Sequence, residues 1–123
     1  MNWFFEKYDS KAEVSKGTEL LIQKMILITL VNIDSDEQII IDKAPFVIGR
    51  ILGDYNIEQK YISKKHAMII QEDRYYIEDL DSANGTYLNG KKLACEGKEL
   101  IRDGDMIIFA KFKYLVVEKM VEA

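Results

Sequence analysis

This sequence is short of the residues that bind metals, crosslink chains or interrupt strands. It has one cysteine, one proline and one histidine. A lone cysteine, Cys95, can form neither an intramolecular disulfide nor a cysteine-based zinc site. The single proline, Pro45, leaves no proline-rich tract, and there is no low-complexity run or long internal repeat. No apolar stretch approaches the roughly 20 residues that a membrane span needs. The opening MNWFFEKYDSKAE lacks the order of charge, apolar core and small-residue cleavage site of a secretory signal. A soluble, cytoplasmic chain is therefore expected, either whole or one module of a longer protein. A basic excess is missing too. The 17 Lys and Arg face 21 Asp and Glu, a net charge of -4, which argues against a broad nucleic-acid surface.

What is present reads as β structure. A chain of 123 residues suits one domain whose core needs neither disulfide nor metal. Residues 1–24 mix charges with Trp3, Phe4, Phe5 and Tyr8 without a clean period. They are read as an N-terminal extension whose aromatics dock on the main domain, residues 25–123. From there strand signals dominate. MILITLVNI (25–33) is β-branched and apolar, DSDE is a turn, and QIIID (38–42) returns. FVIGR, HAMIIQ, RYYIEDL, TYL, KKLA, DMIIFA and YLVVEKM follow at short intervals. Asn89-Gly90 is a two-residue turn of the kind that needs positive φ at both positions. Short strands with turn chemistry between them predict an all-β sandwich or barrel.

Three kinds of chemistry fail on context. Residues 85–92, GTYLNGKK, come close to the phosphate loop G-x-x-x-x-G-K-[ST]. However, Lys92 stands where the magnesium-binding hydroxyl belongs, and no helix opens after it. The aspartate-bearing turns at 32–38 and 79–84 lack the sixth-position glycine and twelfth-position glutamate of a calcium loop. A Cys95–His66 nucleophile pair is disfavoured because Glu96, next to the thiol, opposes thiolate formation. No enzyme, metal or cofactor is expected.

Arg50, Ser63, Lys64 and Asn84 form a more promising set. All four fall in turns or at strand ends, and a sandwich gathers its loops at two ends. Arginine offers a planar fork for two phosphate oxygens, serine a hydroxyl donor and lysine a point charge. Asparagine both donates and accepts, which suits an extended peptide backbone.

The order and spacing of these residues resemble the forkhead-associated, or FHA, family. Gly49-Arg50, then Ser63-x-x-His66, then Asn84-Gly85-Thr86-x-x-Asn89-Gly90 is similar to the family's signature, and DLDSANGTYLNG and LIRDGDMIIFA match two of its segments. The resemblance runs over about residues 25–120. It implies an FHA-type (SMAD/FHA-like) two-sheet β-sandwich of about eleven strands that binds phosphothreonine peptides through loops at one end. Carried over, Arg50 and Ser63 hold the phosphate, Lys64 adds charge or a hydrogen bond, and Asn84 bonds the peptide main chain. Gly49, His66, Gly85, Thr86, Asn89 and Gly90 are framework: Gly49 for a sharp strand-to-loop passage, His66 as a loop brace, Asn89-Gly90 as a plain hairpin turn. The expected partners are a phosphothreonine protein or peptide and a Ser/Thr protein kinase, with neither nucleic acid nor membrane. The alternative is an FHA scaffold that binds its partner without phosphate. Ala83 departs from the threonine or serine common in relatives, so weaker binding is expected. Asp81, where relatives often carry glycine, reshapes its loop or opposes the phosphate charge. Thr18, ahead of the first strand, is read as an ordinary linker threonine, with kinase modification as the sharper alternative.

Overall fold

The computed structural model describes residues 24–122. The aromatics Trp3, Phe4, Phe5 and Tyr8, and Thr18, lie outside the described residues, and so do the expectations placed on them. Residues Ile28–Glu118 form one unit. A second unit takes in, among the described residues, 24–27 and 119–122, the ends of the first and last strands.

The described residues hold eleven strands and no helix. They are β1 (Lys24–Asn32), β2 (Gln38–Ile41), β3 (Phe46–Gly49), β4 (Tyr55–Asn56), β5 (Ala67–Gln71) and β6 (Tyr75–Asp79), followed by β7 (Thr86–Leu88), β8 (Lys91–Lys92), β9 (Lys98–Ile101), β10 (Met106–Phe109) and β11 (Phe112–Glu122). One sheet runs β2-β1-β11-β10-β7-β8 and the other β4-β3-β5-β6-β9. This is the all-β, two-sheet architecture expected from the sequence.

Alternation along the strands builds the core. Ile39 and Ile41, Ile107 and Phe109, and Tyr114 and Val116 are buried on the six-stranded sheet. Phe46 and Ile48, Ala67 and Ile69, and Tyr75 and Ile77 are buried on the other. All of them join one cluster, so the two inner faces share a single core. Because side chains alternate with period two, a one-residue slip would expose every one of them. Each fully buried isoleucine contributes roughly 1.5–3 kcal/mol, which fixes the register firmly.

Two strands were not visible in the sequence. β4 is a two-residue parallel partner of β3, pairing Ile48 with Tyr55 and Gly49 with Asn56. β9 pairs with β6 at the sheet edge, and its leading Lys98 and Glu99 are exposed. Neither has the apolar alternation that marks a half-buried strand. β8 is also shorter than KKLA suggested, keeping only Lys91–Lys92.

The register gathers the important loops. Ala67 pairs with both Ile48 and Asp79, so the end of β3, the start of β5 and the end of β6 coincide. On the other sheet, Phe109 pairs with Thr86 and with Phe112, which puts the start of β7 beside the β10–β11 turn.

Candidate functional site

Loop 57–66 is tied down at successive residues. The Arg50 N–H donates to the Ser63 carbonyl at 2.8 Å, and Arg50 Nη1 reaches the Ile62 carbonyl at 3.4 Å, a weak bond at that length. Asn84 Nδ2 donates to the Tyr61 carbonyl at 2.8 Å. The Ser63 hydroxyl oxygen accepts the Ala83 N–H at 2.9 Å. The guanidinium of Arg50 and the hydroxyl of Ser63 therefore sit within one residue of each other along the same loop. Asn84 is placed opposite, with its amide oxygen unengaged among the described residues. Lys64 is exposed and its side chain has no bonded partner there.

Gly49 makes this approach possible, but not through a sharp bend. A Cβ on Gly49 would lie 2.0 Å from the Lys64 carbonyl oxygen, and Gly49 has no left-handed φ. The residue is needed for close contact between two backbones. Gly53, which the sequence reading passed over, is crowded in the same way: its Cβ would lie 2.6 Å from the Gly49 nitrogen. Gly85, which follows Asn84, has a left-handed φ of 88°.

His66 is fully buried and joins two loops, its own and the turn 80–85. Its Nδ1 accepts the Ser63 N–H at 3.1 Å, and its Nε2 lies 2.9 Å from the Gly85 carbonyl. The ring is thus the neutral Nε2–H form, a donor on one side and an acceptor on the other. Burial pushes its pKa below the ordinary value, outweighing the Gly85 bond and the Asp79 charge. Phe109 meets it edge-on at 6.0 Å between ring centres. Both ring nitrogens are thus engaged with backbone groups of the two loops.

The turn 80–85 has an inner scaffold that sequence reasoning missed. Asp79 Oδ1 accepts the hydroxyls of Ser82 and Thr86, each at 2.6 Å. Its Oδ2 accepts the Ser82 N–H at 3.0 Å, and the Ser82 oxygen takes the Gly85 N–H, also at 3.0 Å. Aspartate and serine spaced to bond nearby backbone were the available signal. Thr86 is buried and serves as framework. Asn89 does more than make a hairpin turn. With φ of 51° it opens the turn, but its amide also donates to Asp105 at 3.1 Å and accepts the Met106 N–H at 2.9 Å, stitching β7 to β10. Gly90, with φ of 86°, completes the turn.

Around Ser63 the surface is cationic. Lys64 and Lys65 are exposed, and the ammoniums of Lys60 and Lys111 lie 5.3 and 4.3 Å from the centre of the Tyr61 ring. A separate cleft of about 550 Å³ is lined by Asp34, Glu37 and Glu58 among others, and its carboxylates would repel a phosphate. In that cleft both Glu37 oxygens are engaged by the hydroxyls of Tyr55 and Tyr114. Desolvation first, then the Tyr55–Glu37 bond and charge, push the Tyr55 hydroxyl up to about 12. Cys95 is exposed. Desolvation and then Asp81, Glu96 and Asp79 raise its pKa, so the thiol is held in its poorly nucleophilic form. Among the described residues no group of His, Cys, Asp and Glu is arranged to hold a metal, and no helix is long and apolar enough to cross a membrane.

Comparison with known proteins gives three findings. The family model for the FHA domain matches residues 46–110, just over half of the chain. The Nostoc protein FraH is 31% identical over 99 residues, covering 72% of this chain but only 34% of FraH. The chain thus spans about a third of that relative. Among solved structures, Mycobacterium tuberculosis EmbR in complex with a low-affinity phosphopeptide is similar at a TM-score of 0.69 and 25% identity, covering 74% of this chain and 24% of EmbR. The MEK1 FHA domain bound to a HOP1 phosphothreonine peptide is similar at a TM-score of 0.62 and 25% identity, covering 73% of this chain and 94% of that one.

Proposed function

The chain belongs to the FHA family, and on that premise we propose that it is a phosphothreonine-dependent protein-interaction module of a signalling pathway. An FHA domain is an interaction module and not a catalyst, in keeping with a histidine whose two nitrogens are occupied and a thiol kept protonated. The observation that carries the reading is the meeting of Arg50 and Ser63 on one bonded loop, with Asn84 across from them. A phosphothreonine brings about -1.5 to -2 charges and three acceptor oxygens at neutral pH. Arg50 holds two of those oxygens once its weak bond to Ile62 is exchanged for a charge-assisted pair. The Ser63 hydroxyl oxygen accepts from Ala83, which leaves its proton to donate to the phosphate. Lys64 supplies a further charge, and the Asn84 amide oxygen receives a peptide N–H. The partner is a protein phosphorylated by a Ser/Thr kinase, or that kinase itself, and the setting is the cytoplasm, where kinases and their nucleotide are found.

A second reading is that the same sandwich binds a partner without phosphate. Ala83 favours it, because a hydroxyl that would touch the phosphate is missing there. Titration of phosphothreonine, phosphoserine and unphosphorylated peptides against wild type and Arg50→Ala separates the two. The first reading expects binding only of phosphorylated peptides, lost in Arg50→Ala. Phosphoserine should bind more weakly by roughly 1–3 kcal/mol, the worth of one methyl in a fitted pocket. Equal binding of unphosphorylated peptide by both proteins would establish the second.

A further inference from the structure

We propose that the free edge of β2 is a self-association site, where a second copy of this chain pairs antiparallel and joins two six-stranded sheets into one.

The first observation is an edge without protection. Sheet edges expose unpaired backbone groups, and proteins blunt them with charge, proline or brevity. Of the four edges among the described residues, those of β4, β8 and β9 are blunted in this way. β4 and β8 have two residues each, and those of β8 are lysines. β9 opens on Glu99 and Lys98, which is paired with Glu72 at 2.6 Å. β2 is different. Its residues, Gln38–Ile41, carry no charge, and Ile40 is 58% exposed. Its one neighbour among the described residues is β1.

The second observation is which groups face outward. The Asn32 N–H donates to the Glu37 carbonyl at 2.9 Å, and the register continues from Val31–Gln38 to Ile28–Ile41. Bonded and non-bonded pairs alternate along an antiparallel ladder. Glu37, Ile39 and Ile41 therefore turn their N–H and C=O groups toward β1. Those of Gln38, Ile40 and Asp42 point away from the sheet and have no backbone partner among the described residues. The side chains of the same three residues lie on the outer face, opposite the buried Ile39 and Ile41.

The third observation is that this edge is complementary to itself. A two-fold axis through Ile40 sets Ile40 opposite Ile40 of the second copy. It also sets Gln38 of each copy opposite Asp42 of the other. Every outward N–H and C=O of the three residues then meets a counterpart. On the outer face an apolar pair is flanked by two amide–carboxylate pairs, in which glutamine donates and aspartate accepts. An axis through Asp42 would oppose two carboxylates, and one through Gln38 would set Ile40 against Asp36. Each chain has one such edge, so the assembly closes as a dimer. A contact this short belongs to the weak end of protein interfaces, so the dimer forms at high concentration. Arg50, Ser63, Lys64 and Asn84 all lie outside β2, which makes the pairing independent of the phosphothreonine reading.

The test follows the full chain by analytical ultracentrifugation from about 10 μM to about 1 mM. Wild type should pass from monomer to dimer across that range. Ile40→Lys sets two ammoniums face to face and should weaken dimerisation roughly tenfold or more. Its thermal melting at low concentration should match wild type, because the side chain is exposed. Amide exchange of wild type by NMR is a second readout that needs no variant. The N–H groups of Gln38, Ile40 and Asp42 should gain protection as concentration rises, while those of Ile39 and Ile41 are protected throughout. A chain still monomeric at about 1 mM overturns the proposal. So does a dimer that a folded Ile40→Lys leaves intact, or growth beyond the dimer. Protection of the three outward amides already in the monomer would show that this chain covers its own edge, and would overturn it as well.

Discussion

His66 Nε2 lies 2.9 Å from the Gly85 carbonyl oxygen and carries the proton that joins them. The opposite nitrogen accepts the Ser63 N–H, so the ring keeps this arrangement only while it is neutral. Burial holds its folded pKa below the ordinary 6.5, so the unfolded chain takes up the proton first as pH falls. The stability contributed by the neutral ring is therefore complete above about pH 6.5 and declines below it until the folded protein is protonated as well. Thermal melts between pH 7.5 and 5 should show this decline. His66→Gln should flatten it and cost about 2–4 kcal/mol at pH 7.5, from lost packing and a Ser63 N–H left without its acceptor. A wild-type profile flat down to pH 5 would contradict the assignment.

Gly49→Ala should damage fold and binding together. The added methyl would stand 2.0 Å from the Lys64 carbonyl oxygen, a backbone atom that cannot rotate aside. We expect a loss of about 2 kcal/mol or more in denaturant titrations, with phosphopeptide affinity falling because residues 63 and 64 must shift.

Thr86→Val removes one of the hydroxyls donated to Asp79 while keeping the shape of the side chain. The buried carboxylate then loses a charge-assisted bond. Chemical denaturation should report about 1–3 kcal/mol less stability. Peptide affinity should change little if the Ser82 bonds hold the turn by themselves.

Asp81→Asn should leave the fold intact and tighten binding. The position has φ of 57°, which asparagine tolerates as well as aspartate. Removing an exposed negative charge two residues from Ala83 should raise phosphopeptide affinity by up to about threefold. Apart from desolvation, Asp81 is the largest contributor to the raised pKa of Cys95. Alkylation of Cys95 at fixed pH should therefore be faster in the variant, a readout that needs no ligand.

The architecture was legible where chemistry leaves a mark on short stretches. Ile39 and Ile41, or Ile107 and Phe109, alternate with more exposed neighbours, so their strands were visible. Asn89-Gly90 advertised its turn through its need for positive φ. Tyr55–Asn56 did not show, since two residues pairing in parallel have no period to display. Arg50, Ser63, Lys64 and Asn84 were singled out by their order along the chain. The reason for Gly49 was not, because its crowding comes from Lys64, which meets it only in three dimensions. Likewise nothing in the neighbourhood Ala110-Lys111-Phe112 shows that its lysine ends over Tyr61.

Residues 61, 62 and 63 are each bonded to a different part of the surrounding structure: Asn84, the Arg50 side chain, and the Arg50 and Ala83 backbone. A loop restrained at three consecutive positions has little freedom left to surrender when a ligand arrives. Encounter rates should therefore be similar among related peptides, and preference should be expressed in residence time.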